Sequence, residues 1–243
     1  MGEPRFLVFE GIDGSGITTQ VEFLRTWCEA RRIPVFVTRE PSDSLTGGLL
    51  RGALKHRITF SPEVMALLFA ADRVDHLDNE ILPSLERGVT VVCDRYYLSE
   101  FAYQSVDLDL GWLRDVNSKC RRPDLTIFLD VPVELCLQRW RADVWRSVWR
   151  SSDRFQLYET EDGLRQVRER YLEIIGQLSA EGEQIEVVDG SRSIRQVHAK
   201  VVSVAERLLI PAPSRRSKSK KNSAPAATRE IASILRVGPV PRG

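Results

Sequence analysis

A glycine-rich loop close to the N-terminus carries the residue types best suited to chemistry. Residues 11–20 read GIDGSGITTQ, in which four residues separate Gly11 from Gly16 and Thr18 follows two positions later. The backbone N–H groups of such a loop, with the N-terminus of a following helix, form a site for phosphate. A hydroxyl at the position of Thr18 is a ligand for Mg²⁺ in loops of this pattern. The sequence therefore predicts a phosphate site with magnesium.

The loop departs from its usual form at one position. The residue before the Ser/Thr is normally a lysine that reaches the β- and γ-phosphates, and here it is Ile17. Loss of one preorganised electrostatic donor typically costs on the order of 10²–10³ in rate. The backbone N–H groups and the magnesium remain, so binding should suffer less. Ile17 therefore predicts slow turnover, unless an arginine elsewhere supplies the charge.

The pattern of apolar residues predicts the elements that position this loop. Five short apolar runs have the length of buried strands, and they lie at 5–10, 34–38, 89–93, 125–130 and 185–189. Helical patterns lie between or after them, at 18–32, 61–88, 98–118, 133–150, 160–179 and 193–209. The segment 61–88 is long enough for one helix or for two that share a break. This alternation predicts an α/β fold with a three-layer, doubly wound parallel sheet of five strands.

In such a sheet, ligands bind beyond the carboxyl ends of the strands. The polar residues that follow the predicted strands should therefore converge on one cleft, and they are residues 10–18, 38–40, Asp94, Arg95, Asp130 and Asp189.

Composition limits the other possibilities. The four cysteines are single and widely spaced, which argues against a zinc site or a disulfide framework and fits a reducing, cytoplasmic setting. No apolar run approaches the roughly 18 residues that a membrane span needs, and the first residues do not resemble a secretory signal. We expect one globular domain over residues 1–210 and a separate tail over 211–243.

The tail differs from the rest of the chain in charge. Residues 211–243 hold eight basic residues and one acidic residue, whereas the other 210 residues hold 27 basic and 33 acidic ones. Its Pro, Ser and Ala content predicts disorder. Contact with nucleic acid through the stretch SRRSKSKK is the less favoured alternative to a solvated extension.

Several linked motifs resemble those of thymidylate (dTMP) kinases, which are P-loop nucleoside monophosphate kinases. The segments FEGIDGSGITTQ, TREPSDS, LLFAADRVDH, VVCDRYYLSEFAYQS, RPDLTIFLDV and SSDRFQ occur in the order and approximate spacing of that family, over residues 5–205. The resemblance implies a P-loop kinase fold and phosphoryl transfer from ATP to dTMP with Mg²⁺. It also implies a homodimer.

The resemblance assigns the donor side of the site. It implies that ATP binds to the loop formed by Gly11, Ile12, Asp13, Gly14, Ser15, Gly16, Ile17, Thr18 and Thr19. Thr18 and Asp94 are the implied metal residues, with Asp94 acting through water. Asp13 corresponds to an acidic residue near the reacting phosphates; a carboxylate there should have an arginine or metal partner.

The acceptor side is assigned in the same way. Arg39 and Arg95 match arginines that hold the dTMP phosphate, and Glu40 is expected to support Arg39. Phe69 would stack on thymine and Arg73, four residues later, would bond the base edge. The residues that the resemblance places along the thymine and sugar pocket are Ser99, Tyr103 and Gln104.

A mobile lid is expected at about residues 139–156, a segment that holds five arginines. The family divides according to whether a catalytic arginine lies in the phosphate loop or in the lid. Gly14 occupies the place of the loop arginine, so this chain resembles the branch with a lid arginine. The catalytic residues that the resemblance implies are Asp13, Arg95 and the lid residue Arg154. Arg154 is the first candidate to supply the charge of the missing lysine.

Other interpretations stay open at this stage. Ile17 and the basic tail are compatible with a catalytically weak nucleotide-binding protein that acts as a sensor or scaffold. Kinase chemistry with another nucleoside monophosphate as acceptor is a third possibility. Taken alone, Phe69 reads as a core residue, and the lid arginines read as a solvated basic helix face.

Overall fold

The structure, a computed structural model, describes residues 3–146 and 160–210. The strands are β1 (Phe6–Glu10), β2 (Val35–Arg39), β3 (Thr90–Asp94), β4 (Leu125–Asp130) and β5 (Ile185–Asp189). They pair in parallel in the order β2-β3-β1-β4-β5. The predicted five-stranded parallel sheet is confirmed.

Helices cover the sheet and connect its strands. They are α1 (Ile17–Ala30), α2 (Leu45–Leu54), α3 (Pro62–His76), α4 (Leu82–Glu86), α5 (Tyr97–Gln104), α6 (Leu110–Val116), α7 (Val133–Arg146), α8 (Glu161–Ala180) and α9 (Ile194–Leu209). A π-helical turn, Leu77–Ile81, connects α3 to α4. None of the helices in the described ranges is long and apolar enough to cross a membrane.

The central strand β1 is apolar on both sides because helices lie on both faces of the sheet. Phe6 and Val8 belong to one core cluster, which includes residues of α5 and α8. Leu7 and Phe9 point the other way, into a second cluster that includes residues of α1 and α9. The two buried faces explain why this strand reads as a continuous apolar run rather than an alternating one.

The structure refines two element predictions. The segment 61–88 is α3 and α4 joined by the π-helical turn, with Pro83 in the first turn of α4, where its missing N–H is tolerated. The segment 98–118 is two helices, because the side chain of Asp109 caps a new helix, α6, by accepting from the N–H of Trp112. Three of the four cysteines are buried, while Cys120 is half-buried.

Helix α2 was absent from the sequence-based prediction. Three glycines among its ten residues hide the helical pattern. Gly47 is required by packing, since a Cβ atom there would lie 2.0 Å from the carbonyl oxygen of Ser42. Ser44 caps the helix by accepting a hydrogen bond from the N–H of Gly47.

Candidate active site

The glycine-rich loop lies between β1 and α1, as predicted. Gly16 precedes α1 in a left-handed conformation, with φ of 96°. Gly14 is also left-handed, with φ of 81°, and a Cβ atom there would lie 2.6 Å from the carbonyl oxygen of Cys136 in α7. A side chain at residue 14 is therefore excluded both by backbone conformation and by contact with α7. A catalytic arginine must therefore come from another segment of the chain.

The two residues predicted to serve a metal lie together. The Thr18 hydroxyl donates to Oδ2 of Asp94 over 2.7 Å. Burial raises the pKa of Asp94, an effect that the Arg95 charge partly offsets. A half-buried carboxylate beside a hydroxyl offers the hard oxygen donors that Mg²⁺ prefers, and a cation would favour the ionised form of Asp94. The residues present therefore fit magnesium.

Ile17 supplies no charge to the loop. Its side chain is 5% exposed and belongs to the core cluster that contains Leu7, Phe9 and Val21. It is the first residue of α1 and lies on the buried face of that helix. This branched side chain therefore packs in the core.

Two guanidinium groups lie beside the loop instead. Arg95 Nη1 donates to the carbonyl oxygen of Gly11 over 2.9 Å, and its Nη2 donates to Asp13 Oδ1 over 2.6 Å. Arg139 Nη1 donates to the carbonyl oxygen of Ser15 over 3.3 Å, and its Nη2 donates to that of Gly190 over 2.9 Å. The prediction that Asp13 has an arginine partner is confirmed.

Arg139 was predicted only as one of several lid arginines. Its contact with Ser15 places it at the phosphate loop itself. The sequence alone does not distinguish Arg139 from the other lid arginines. Its position follows from the packing of α7 against the loop, where Cys136, about one helical turn earlier, lies beside Gly14. Arg154 and most of the predicted lid lie outside the described residues.

Arg95 begins the connection from β3 to α5 in an unusual conformation. Its φ is 73°, and its backbone N–H donates to Phe9 on β1 over 2.9 Å. Nη1 also donates to the Ser99 hydroxyl over 3.1 Å, and the guanidinium lies 5.6 Å from the ring centre of Tyr103. These contacts direct the Arg95 side chain back over β1 towards the loop.

A cavity of about 160 Å³ opens beside Arg95. Of the predicted acceptor residues in the described part of the chain, all but Arg39 line it: Phe69, Arg73, Arg95, Ser99, Tyr103 and Gln104. Much of the remaining wall is apolar, from Leu54, Ile58, Phe60 and Met65. Such a mixture of apolar walls and a few polar groups is typical of small-molecule sites.

Arg73 is a fully buried part of the cavity wall. Its side chain is 1% exposed; Nε donates to Glu40 Oε2 over 2.8 Å, and Nη1 donates to Glu100 Oε2 over 2.5 Å. Nη1 also donates to Asn117 Oδ1. Burial raises the pKa of Glu100, and the charge of Arg73 partly offsets this effect. Gln104 also lines the cavity, and its buried Oε1 has no hydrogen-bond partner among the described residues.

Arg39 is placed differently. It ends β2 opposite Asp94, and its Nη2 donates to Asp43 over 3.0 Å with a largely exposed side chain. The expectation that Glu40 supports Arg39 is wrong, since Glu40 is buried and pairs with Arg73 and His76. Arg39 is the last residue of β2, and its side chain is largely exposed, whereas the side chain of Glu40, the next residue, points into the protein.

Sequence reasoning also missed several polar residues behind the site. Glu10 and Tyr171 form a buried group with Ser99, and Asn117 contacts Arg73. Glu10 was only one of several residues at strand ends, and nothing near Tyr171 or Asn117 in the sequence resembles a motif. Only the packing of α6 and α8 against α5 brings them to the site.

Comparisons with known proteins agree with this geometry. The family model described as Thymidylate kinase matches residues 9–201. The chain is 39% identical over 211 residues to the "Probable thymidylate kinase" of Pyrococcus horikoshii, covering 84% of this chain and 97% of that protein. It is also 39% identical over 215 residues to the "Thymidylate kinase" of Nitrosomonas eutropha, covering 85% of this chain and 94% of that protein. The chain therefore belongs to the thymidylate kinase family.

Proposed function

We propose that this protein transfers the terminal phosphoryl group of ATP to dTMP, giving dTDP and ADP. The observation that carries the proposal is the position of Arg95. Its guanidinium contacts Gly11 of the phosphate loop and also lines the adjoining cavity. One side chain therefore connects a site for the donor phosphates with a site for the acceptor.

The cavity supports a nucleotide with a neutral pyrimidine base. Arg73 is paired with two carboxylates. The cavity wall around Arg73 therefore suits hydrogen bonding to an uncharged carbonyl group better than binding of a phosphate. Phe69 offers an aromatic face, and the unpartnered Oε1 of Gln104 can accept from a base N–H. Thymine has both a carbonyl oxygen and a ring N–H.

The chain's residues take the following roles in the reaction. Arg95 and Arg39 hold the dTMP phosphate, whose oxygen attacks the γ-phosphorus as the bond to the ADP oxygen breaks. Asp13 fixes the Arg95 guanidinium. Thr18 and Asp94 would hold Mg²⁺, which neutralises charge on the donor phosphates when bound.

The missing lysine makes the enzyme slow in this proposal. Arg154 remains the proposed catalytic lid arginine, within a lid at about 139–156, and Arg139 adds a cation at the loop. The kinase domain is proposed to span 1–210 and to act in the cytoplasm, in keeping with its unpaired cysteines.

The experiment is a comparison of dTMP-dependent ADP formation by the wild-type chain and by Ile17→Lys, with dUMP, dCMP and dGMP as competing acceptors. We expect dTMP to be preferred and kcat to rise by about 10²-fold in Ile17→Lys, the size of one restored electrostatic donor. Thr26→Lys adds the same charge at an exposed position of α1 and should leave kcat unchanged. Absence of turnover in both the wild type and Ile17→Lys, with dTMP still bound, would instead indicate a nucleotide sensor.

We also propose that the protein forms a homodimer through α3. An apolar stripe with helical spacing runs along the exposed side of this helix, and it consists of Val64, Leu67, Ala71 and Val74. Leu67 is 50% exposed, and a charge at its position would have to be buried in the dimer. Light scattering should therefore give a dimeric mass for the wild type and a monomeric mass for Leu67→Glu; a monomeric wild type would contradict this proposal.

A further inference from the structure

Glu10 is a buried carboxylate that takes no part in the reaction proposed above. It ends β1, directly before the phosphate loop, and its side chain is fully buried. Oε1 accepts from the backbone N–H groups of Tyr96 and Ser99, over 2.9 and 3.2 Å. Oε2 accepts from the hydroxyls of Ser99 and Tyr171, over 2.5 and 3.1 Å. Four donors therefore converge on one carboxyl group, and this arrangement matches its ionised form.

Ser99 connects this carboxylate to the arginine at the acceptor cavity. The Ser99 hydroxyl donates to Glu10 and accepts from Arg95 Nη1 over 3.1 Å. The Tyr171 hydroxyl lies 2.8 Å from the same oxygen and 3.5 Å from Arg95 Nη1. A proton on Glu10 would convert one acceptor oxygen into a donor, so that a hydroxyl now donating to Glu10 would have to turn. The bond from Arg95 to Ser99 would change with it.

We propose that Glu10 is a positioning residue for the acceptor: its ionised carboxylate, acting through Ser99, holds the Arg95 guanidinium in the orientation that receives the dTMP phosphate. The inference rests on the role proposed above for Arg95. It predicts that acceptor affinity depends on the protonation of a residue that does not touch the ligand.

The surroundings of Glu10 place the pH dependence of dTMP affinity close to neutral pH. Burial raises the pKa of Glu10 to about 7, and hydrogen bonds from Ser99 and Tyr171 and the charge of Arg95 limit the rise. The other titratable groups that face Glu10 are Cys93 on β3, Tyr97 on α5 and Tyr171 on α8. Burial raises the pKa of each of these three groups above its ordinary value, so all three stay neutral. Glu10 is then the group in this set that changes charge near pH 7.

Calorimetric titration of dTMP into the full-length protein between pH 6 and 8.5 tests the proposal. The variants are Glu10→Gln and Asp124→Asn; the latter removes a carboxylate at the opposite end of β1, where Asp124 accepts from the N–H of Phe6 over 2.7 Å. The second ionisation of the dTMP phosphate, near pH 6, affects all proteins equally. We expect Glu10→Gln to bind dTMP about tenfold more weakly than Asp124→Asn at pH 8. This difference should shrink to less than threefold at pH 6, where Glu10 is protonated in the control.

A second variant keeps the test decisive if Glu10→Gln does not fold. Tyr171→Phe removes a hydrogen bond that lowers the Glu10 pKa, so the midpoint of the pH dependence should move to higher pH. Equal affinity of Glu10→Gln and Asp124→Asn at every pH, or an unmoved midpoint in Tyr171→Phe, would overturn the inference. Arg95→Met distinguishes a failure of the proposed role of Arg95 from a failure of the proposed role of Glu10. Unchanged dTMP affinity in Arg95→Met contradicts the proposed role of Arg95, whereas lost affinity there with equal affinity of Glu10→Gln and Asp124→Asn contradicts only the role of Glu10.

Discussion

Two arginines line the acceptor cavity, and the parts of the wall around Arg73 (the Arg73 end) and around Arg95 (the Arg95 end) hold them differently. Arg73 is 1% exposed and forms ion pairs with the buried carboxylates of Glu40 and Glu100. Arg95 forms an ion pair with the partly exposed Asp13, and it also donates to a backbone carbonyl and to a hydroxyl. The chemistry of the two ends should therefore differ although the residue type is the same.

The difference follows from charge balance. At the Arg73 end two carboxylates pair with one cation, so this group can donate hydrogen bonds to a neutral base but has little net attraction for an anion. At the Arg95 end the carboxylate of Asp13 can be approached by solvent, and the neighbouring loop offers N–H groups to phosphate. The first end is therefore suited to selecting a base and the second to holding a phosphate.

The largest expected effect is on stability, at the Arg73 end. Arg73→Met leaves two buried carboxylates without their cation, which should lower the free energy of unfolding by about 3–5 kcal/mol. Urea denaturation at pH 7.5 measures this loss. The triple variant Arg73→Met/Glu40→Gln/Glu100→Gln should recover most of it, because no uncompensated charge remains. A loss that the triple variant does not recover would show that shape, and not charge, dominates at this end.

At the Arg95 end the expected effect is on catalysis. Lysine keeps the charge in Arg95→Lys but cannot contact Gly11, Asp13 and a phosphate at once, so kcat/KM for dTMP should fall by roughly 10²–10³. Steady-state rates of ADP formation measure this loss, with Arg114→Lys as control, because Arg114 forms an exposed ion pair with Glu181. Comparable rates for Arg95→Lys and the control would remove the distinction between the two ends.

The same contrast explains which parts of the site could be predicted from sequence. The phosphate loop follows β1 directly and Asp94 ends β3, so the rule that ligands bind at carboxyl strand ends was enough to place Asp94 beside the loop. The family resemblance added Phe69 and Arg73, whose helix shows no comparable local signal. The roles of Arg39, Phe69 and Arg73 towards ligand stay predictions.

The supporting residues could not be predicted in this way. Glu40 follows Arg39 in sequence, yet it is buried and pairs with Arg73, whereas Arg39 stays largely exposed. Asn117 and Tyr171 come from helices whose apolar patterns indicate burial but not a partner. Their contacts depend on how the helices pack against α5, which is a tertiary property that single-sequence patterns do not contain.

The smallest of the three effects concerns pH, and it is specific to the Arg95 end. The pKa of Glu10 is raised from 4.5 to about 7 in the folded protein. Its contribution to stability is therefore fully present below the pKa of the unfolded carboxyl group and is lost as pH rises through 7. Between pH 5 and pH 8 the wild type should lose about 2–3 kcal/mol more of its free energy of unfolding than Glu10→Gln does.

Urea denaturation at both pH values measures this difference, with Asp124→Asn again as the control that keeps Glu10. Because the ionised form of Glu10 is the one proposed to hold Arg95, the pH range that favours acceptor binding should be the range in which the fold is less stable. Ionised Glu10 would then orient the Arg95 guanidinium while it lowers the stability of the fold. Arg73, in contrast, is already paired with two carboxylates in the folded protein. Equal pH dependence of unfolding for the wild type and Glu10→Gln would contradict this contrast.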